Sequence, residues 1–251
     1  MPDFTPISYI QLIRQAKKSN FVFMSFDEGL KHRNSKKKIC LLRHDIDADL
    51  EAALKMARIE NRYGIKSTYF LMLRSTVYNL FSPFNHRFVN KIIELGHHIG
   101  LHYDGSFLPN TNKTLNEWVE MEANIVEQMF AVKISVVSFH QPNEKVLKNK
   151  IKIKGFINTY DKEDMQTFHY LSDSNKVWKE YHPLKVFEEN IYTKFQILIH
   201  PLWWMQCNQN LSTEKIWDMT LLNNWRKTQE YLYKTEGAYG KERRLKIWKH
   251  E

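Results

Sequence analysis

Between residues 7 and 200 the chain alternates short apolar runs with longer amphipathic stretches, and this alternation restricts the fold more than any other feature. Apolar residues at helical spacing (Ile7, Ile10, Leu12, Ile13) predict a helix over 7–18, and residues 21–26 read as a short strand. Residues 39–44 read as a strand. A helix is expected over 49–63, with Leu50, Leu54, Ala57 and Ile59 on its apolar side and Gly64 ending it. The pattern then repeats: a strand at 67–73, a helix at 84–95 that stops at Gly96, a strand at 98–102 and a helix at 115–130. Further strands are expected at 134–139, 156–160 and 195–200. A last helix over 213–234 offers Trp217, Leu221, Trp225 and Leu232 as a face that packs back on the body. Strands and helices alternating at this length imply a parallel sheet or barrel, in which chemistry sits at the C-terminal ends of strands.

Five of these strands end in, or lead directly into, ionisable or polar residues: His44-Asp45, His102-Tyr103-Asp104, His140, Tyr160-Asp161 and His200. Chance would scatter the eleven histidines over loops and helix faces, whereas several at one rim describe one site. The densest group is Arg43-His44-Asp45-Ile46-Asp47. Side chains alternate along a strand, so Asp45 and Asp47 project the same way and His44 the other. Two such carboxylates repel each other unless a cation, a shared proton or an arginine lies between them. They can divide the labour of hydrolysis, one holding a metal and the other taking a proton from the metal's water. The plainer reading is a strand followed by the acidic N-terminus of a helix, 47–51, and the pair alone does not choose between them.

A chain of 251 residues buries enough surface to fold without disulfides. Cys40 lies in an apolar run and Cys207 in a polar loop, neither in a CxxC, which fits a reducing compartment and argues against a zinc ribbon. The first residues lack the apolar core of a signal peptide, and no window approaches the length of a membrane span, so a cytoplasmic protein is expected. The net charge is +9, with basic clusters at 36–38, 145–154 and 241–249. No RNA-binding or helix-turn-helix signature accompanies them. A solvated basic surface or an anionic sugar carrier, such as a nucleotide or lipid diphosphate, accounts for the charge better than nucleic acid does. Without repeats or linkers, one domain is expected over 1–251, with a helix/strand extension at 1–37 and a helical extension at 205–251.

The motifs RHDID (43–47), GHHIGLHYDG (96–105), SFHQP (138–142), YLSDSNKVW (170–178) and LIHPLWW (198–204) occur in an order that resembles the polysaccharide deacetylase (NodB-homology, carbohydrate esterase 4-like) superfamily. The resemblance implies an α/β fold, a distorted (β/α) barrel with fewer than eight regular strands. It also implies hydrolysis of an N-acyl group on a sugar with a divalent metal, Zn²⁺ being the expected ion. By the same resemblance Asp45 is the general base, Asp47 and His102 are metal ligands, and His200 is the general acid. His140-Gln141-Pro142 falls where the family carries Arg-x-Pro, whose arginine orients the base.

One position departs from the family pattern. The second metal histidine belongs four residues after His102, where this chain has Ser106. A hydroxyl replaces imidazole poorly on zinc. Asp104 and His140 are the two candidates for a third ligand, the first by sharing a strand face with His102 and the second by lying on a converging rim. Asp173 is a turn or cap residue, a support for the site or a partner for a sugar hydroxyl. Trp203 and Trp204 are core residues or platforms for a sugar ring, with Trp204 the candidate for substrate contact and His140 a further one. His44 is expected to be structural or to stand behind the site, and His97 and His98 to be structural. The resulting expectation is a cytoplasmic N-deacetylase acting in the assembly of a surface polysaccharide such as O-antigen or capsule. The competing readings are a degenerate saccharide-binding barrel and a deformylase or cyclic-amide hydrolase of the same superfamily.

Overall fold

The computed structural model describes residues 4–106, 112–142, 146 and 152–239. The basic cluster at 241–249 and most of that at 145–154 lie outside the described residues. Eight parallel strands make one sheet: β1 (Val22–Phe23), β2 (Ile39–Ile46), β3 (Thr68–Leu71), β4 (His98–Asp104), β5 (Val136–His140), β6 (Ile157–Asn158), β7 (His169–Ser172) and β8 (Lys194–Leu198). Their order is β6-β5-β4-β3-β2-β8-β7, with β1 attached beside β2. The path follows the chain around a ring and ends at β6 and β7, which leaves a seam between them. This is a distorted (β/α) barrel of seven wall strands.

The strand β2, which pairs with β1, β3 and β8, explains the layers. Its odd residues face inward. Ile39 and Leu41 join Phe26, Phe70, Val136 and Phe168 in an apolar plug, and Arg43 and Asp45 continue the same face toward the C-terminal rim. Its even residues face the helices, Cys40 and Leu42 in one outer cluster and Ile46 in another. Gly100 on β4 is required by the plug, because a Cβ there would meet the Phe70 ring at 2.6 Å. Among the described residues the α-helices are α1 (Pro6–Lys18), α2 (Phe26–Lys31), α3 (Leu50–Arg62), α4 (Pro83–Glu94), α5 (Leu115–Phe130), α6 (Pro183–Glu189), α7 (Pro201–Trp204) and α8 (Thr213–Thr235). α1, α3, α6 and α7 contribute to the cluster over β2 and β8, while α3, α4 and α5 contribute to the cluster over β3 to β5. No helix of the described residues is long and apolar enough to cross a membrane.

Several elements differ from the sequence expectation for identifiable reasons. The strand expected at 21–26 is only Val22–Phe23, because Ser25 and Glu28 form a capping box that starts α2. The segment 195–200 stops being a strand at Leu198, since Pro201 opens α7 and leaves His200 at its N-cap. β7 and α6 carry too little periodicity to be read in advance. The described parts of the two terminal segments are part of the packed structure: Tyr9 of α1 and Ile216 of α8 are buried, and β1 pairs with β2.

Candidate active site

The inward column of β2 meets the ends of β4, β5 and β8 at one cavity of about 510 Å³. Asp45, Asp47, His102, His140 and His200 all line it, with Trp203 and Trp217 on its wall. Asp45 is buried and held by Arg43 in a two-pronged contact, Nε to Oδ1 at 2.8 Å and Nη2 to Oδ2 at 2.7 Å. Arg43 is itself fully buried beneath it, donates to Thr159 Oγ1 and Tyr160 Oη, and lies over the Tyr160 ring. Burial pushes the Asp45 carboxyl up, but Arg43 and then His102 outweigh it and hold the group below the usual range. Arg43 stands two residues before Asp45 on the same strand face. That spacing was the available signal for a residue whose part in the site the sequence reading missed.

Asp47, His102 and His140 bring one ligand atom each to a common point, all within 4.8 Å of one another. His102 Nε2 lies 3.1 Å and His140 Nδ1 3.4 Å from Asp47 Oδ1. Burial raises the Asp47 carboxyl, and the two imidazoles lower it further, to well below the usual range. The same contact with Asp47 raises His140. Yet Asp47 Oδ1 is buried and accepts no well-formed hydrogen bond. His102 Nδ1 sits 2.7 Å from Ser138 Oγ, which fixes the ring with Nε2 toward Asp47. Three ligand atoms converge there, and their types, one carboxylate and two imidazoles, suit a divalent cation such as zinc.

Asp104 stands outside that group. Its carboxylate accepts from the backbone N–H and the hydroxyl of Ser106, at 2.9 and 2.7 Å. Ser106 thus serves to tie the loop after β4.

His200 reaches the cavity from the start of α7, with Nε2 3.7 Å from Asp47 Oδ2. Its Nδ1 faces Asp173 Oδ1 at 2.6 Å, and its backbone N–H donates to the same carboxylate. Burial pulls the imidazole down, but Asp173 outweighs it and raises His200 to about 9. Asp173 is fully buried, so it supports His200 and does not meet a sugar hydroxyl. Trp204 is also corrected: it is fully buried and spends its Nε1–H on Asp173 Oδ2 at 2.8 Å, which removes it from any substrate. Trp203, seven per cent exposed, is the tryptophan of that pair on the cavity wall. His44, His97 and Glu60 lie behind β2, away from the cavity.

A second cavity, of about 440 Å³, opens where the barrel is unpaired between β6 and β7. Tyr160, Tyr170, Trp178 and Tyr181 line it, and Gln141, Pro142, Tyr160 and Ser174 are shared with the first cavity.

No protein-family model matches the chain, and no curated protein matches it. Among solved structures it is similar to a family 4 carbohydrate esterase from Bacillus anthracis, at 13% identity over 86% of this chain and 85% of that one, with a TM-score of 0.44. It is also similar to a mutant of a CE4 family pseudoenzyme with restored enzymatic activity, at 15% identity over 77% of this chain and a TM-score of 0.42, spanning 64% of that chain. The chitin deacetylase of the fungal pathogen Colletotrichum lindemuthianum is a third, at 11% identity over 82% of this chain and 87% of that one, with a TM-score of 0.42.

Proposed function

We propose that this protein is a metal-dependent hydrolase that removes an N-acetyl group from a sugar. The observation that carries the reading is the convergence of Asp47, His102 and His140 beside a separately held carboxylate, Asp45, and a separately held imidazole, His200. Asp47, His102 and His140 would hold the ion. When bound, Zn²⁺ supplies an acidified water and polarises the acyl carbonyl. The protein's own groups do the rest. Arg43 fixes the plane of the Asp45 carboxylate, which lies with Oδ2 toward His102 and accepts the proton of the attacking water there. His200 keeps Nδ1 on Asp173, presents Nε2 to the cavity and delivers a proton to the departing amide nitrogen. An imidazole raised to about 9 is protonated at neutral pH, as an acid must be before the bond breaks.

In this arrangement two roles have changed places relative to the family pattern that the motifs resemble. The guanidinium that orients the base comes from β2 as Arg43. The position at the end of β5 is thereby free to carry an imidazole, His140, in place of the one that Ser106 cannot provide. The seam cavity gives a neighbouring sugar or carrier group room beside the reacting one. The basic charge and the cysteine usage support a nucleotide- or lipid-linked substrate in the cytoplasm, in the assembly of a surface polysaccharide. The test is acetate release from N-acetylated sugar precursors by the zinc-loaded protein and by its Asp45→Asn variant. Equal release by the two sinks the mechanism. A zinc titration separates the saccharide-binding alternative: no binding at micromolar zinc favours it.

A further inference from the structure

Behind β2 lies a second polar cluster that the chemistry above does not use. Glu60 of α3 is fully buried. Its Oε1 accepts from the Tyr9 hydroxyl and faces His44 Nε2 at 2.6 Å. Its Oε2 accepts from Ser67 Oγ at 2.6 Å and from the Tyr69 hydroxyl at 2.8 Å. Burial pushes the Glu60 carboxyl up, yet His44, His97 and Ser67 prevail and hold it at about 2. Such a cluster is an expensive way to pack a strand against a helix, since apolar side chains of similar volume do so at less cost. Its geometry shows what else it does.

The other nitrogen of His44, Nδ1, lies 3.1 Å from the Ile199 carbonyl oxygen, which can only accept. Register pairing between β2 and β8 ends at Arg43 and Leu198, and the Ile199 N–H still donates to the Arg43 carbonyl at 2.9 Å. The His44 ring then takes the next group along, the Ile199 carbonyl. That carbonyl belongs to the same peptide unit as the His200 N–H, and a peptide unit is a rigid plane. Asp173 holds the N–H side of this plane at 3.0 and 3.1 Å, and His44 holds the carbonyl side.

We propose that His44, anchored by Glu60, is a positioning residue that clamps the Ile199–His200 peptide plane and so sets where the His200 ring enters the cavity. For its effect on turnover this rests on His200 being the proton donor proposed above; for the clamp itself it does not.

Two substitutions separate the two ends of the ring. Asn in His44→Asn places its amide N–H near the position of Nδ1 and keeps a donor for Ile199, but loses Glu60. Gln in His44→Gln reaches toward Glu60 and leaves Ile199 without its donor. In ¹⁵N-labelled protein the backbone amide signal of His200 should move in H44Q and stay in place in H44N. With zinc and an N-acetylated sugar, kcat should fall about tenfold or more in H44Q at unchanged KM, and less than about threefold in H44N. Melting temperatures measured alongside show whether the order of activity departs from the order of stability, as the clamp requires. A His200 signal unmoved in H44Q overturns the proposal, as does activity that simply follows stability in both variants. If H44Q does not fold, H44N decides alone, and a displaced His200 signal in it overturns the clamp. If the unsubstituted protein releases no acetate, the hydrolase reading fails while the His200 signal still decides the clamp.

Discussion

Two carboxylates lie on opposite sides of β2, Glu60 fully buried and Asp47 partly so, and the protein provides for them differently. Glu60, behind the strand, has a hydroxyl and an imidazole on one oxygen and two hydroxyls on the other. Asp47, at the cavity, has two imidazole nitrogens within 3.4 Å and still leaves Oδ1 without a hydrogen bond. Charge and neighbouring histidines are common to both, so neither of these marks a site. Satisfaction does. A polar cluster that holds a fold together closes its own hydrogen bonds, whereas one built around an ion leaves donor atoms converging and unmatched.

The contrast can be broken in several ways, and the largest effect belongs to the cavity side. Asp45→Asn should lower the rate of acetate release by about 10²–10⁴-fold, the range expected when a general base is lost. A Glu60→Gln variant assayed at a temperature where it is folded should not approach that loss. Next comes the ion. Asp47→Ala should weaken zinc binding, followed by calorimetric titration, by more than about 100-fold. Glu60→Gln should do the reverse, leaving zinc affinity intact and costing about 3–5 kcal/mol of stability by stripping His44 of a buried partner. Equal zinc affinities in D47A and the parent protein would erase the distinction drawn between the two carboxylates.

Acid titration sharpens the same comparison. Glu60 ionises at about 2 in the folded protein against an ordinary value of 4.5. A depressed carboxyl stabilises the fold above its unfolded value, and that stability drains away as pH falls from about 4.5 through about 2. The contribution is on the order of 3 kcal/mol, and the acid limb of a stability-against-pH curve should flatten by about this amount in E60Q. The smallest effect is expected of Ser106→His. The family pattern makes this the restoring substitution, but Ser106 is tied to Asp104 and His140 already faces Asp47. Zinc affinity should change by less than about fivefold; a larger gain would show that His140 does not complete the set.

Some of this was legible before any contact was known. A parallel sheet or barrel followed from the alternation of segments, the motif resemblance pointed to the barrel, and the missed pieces, β7, α6 and the early start of α2, are short elements where a capping box or a weak pattern overrides periodicity. In the site, parity along β2 already separated Asp45 and Asp47 from His44, and the polar strand ends already placed His102, His140 and His200 on one rim. The choice between Asp104 and His140 could not be made, because both face the rim. It was the turn after β4, which bonds Asp104 to Ser106, that left His140 beside Asp47. Asp173 and Trp204 were similarly opaque. Their partnership with each other and with His200 joins segments 27 to 31 residues apart.

The sequence by itself therefore determined the class of fold, the faces of β2 and the rim on which the chemistry-bearing residues stand. These depend on local periodicity, which one strand or helix expresses alone. Only the tertiary structure decided which of those residues meet. Arg43 grips Asp45, His140 joins Asp47 and His102, Asp173 takes His200, and His44 reaches from the far face of β2 to the peptide before His200. Each pairing is a matter of ångström distances between side chains. Such distances are set when neighbouring strands fix their register and the helices close over them, and no spacing along a single segment records them.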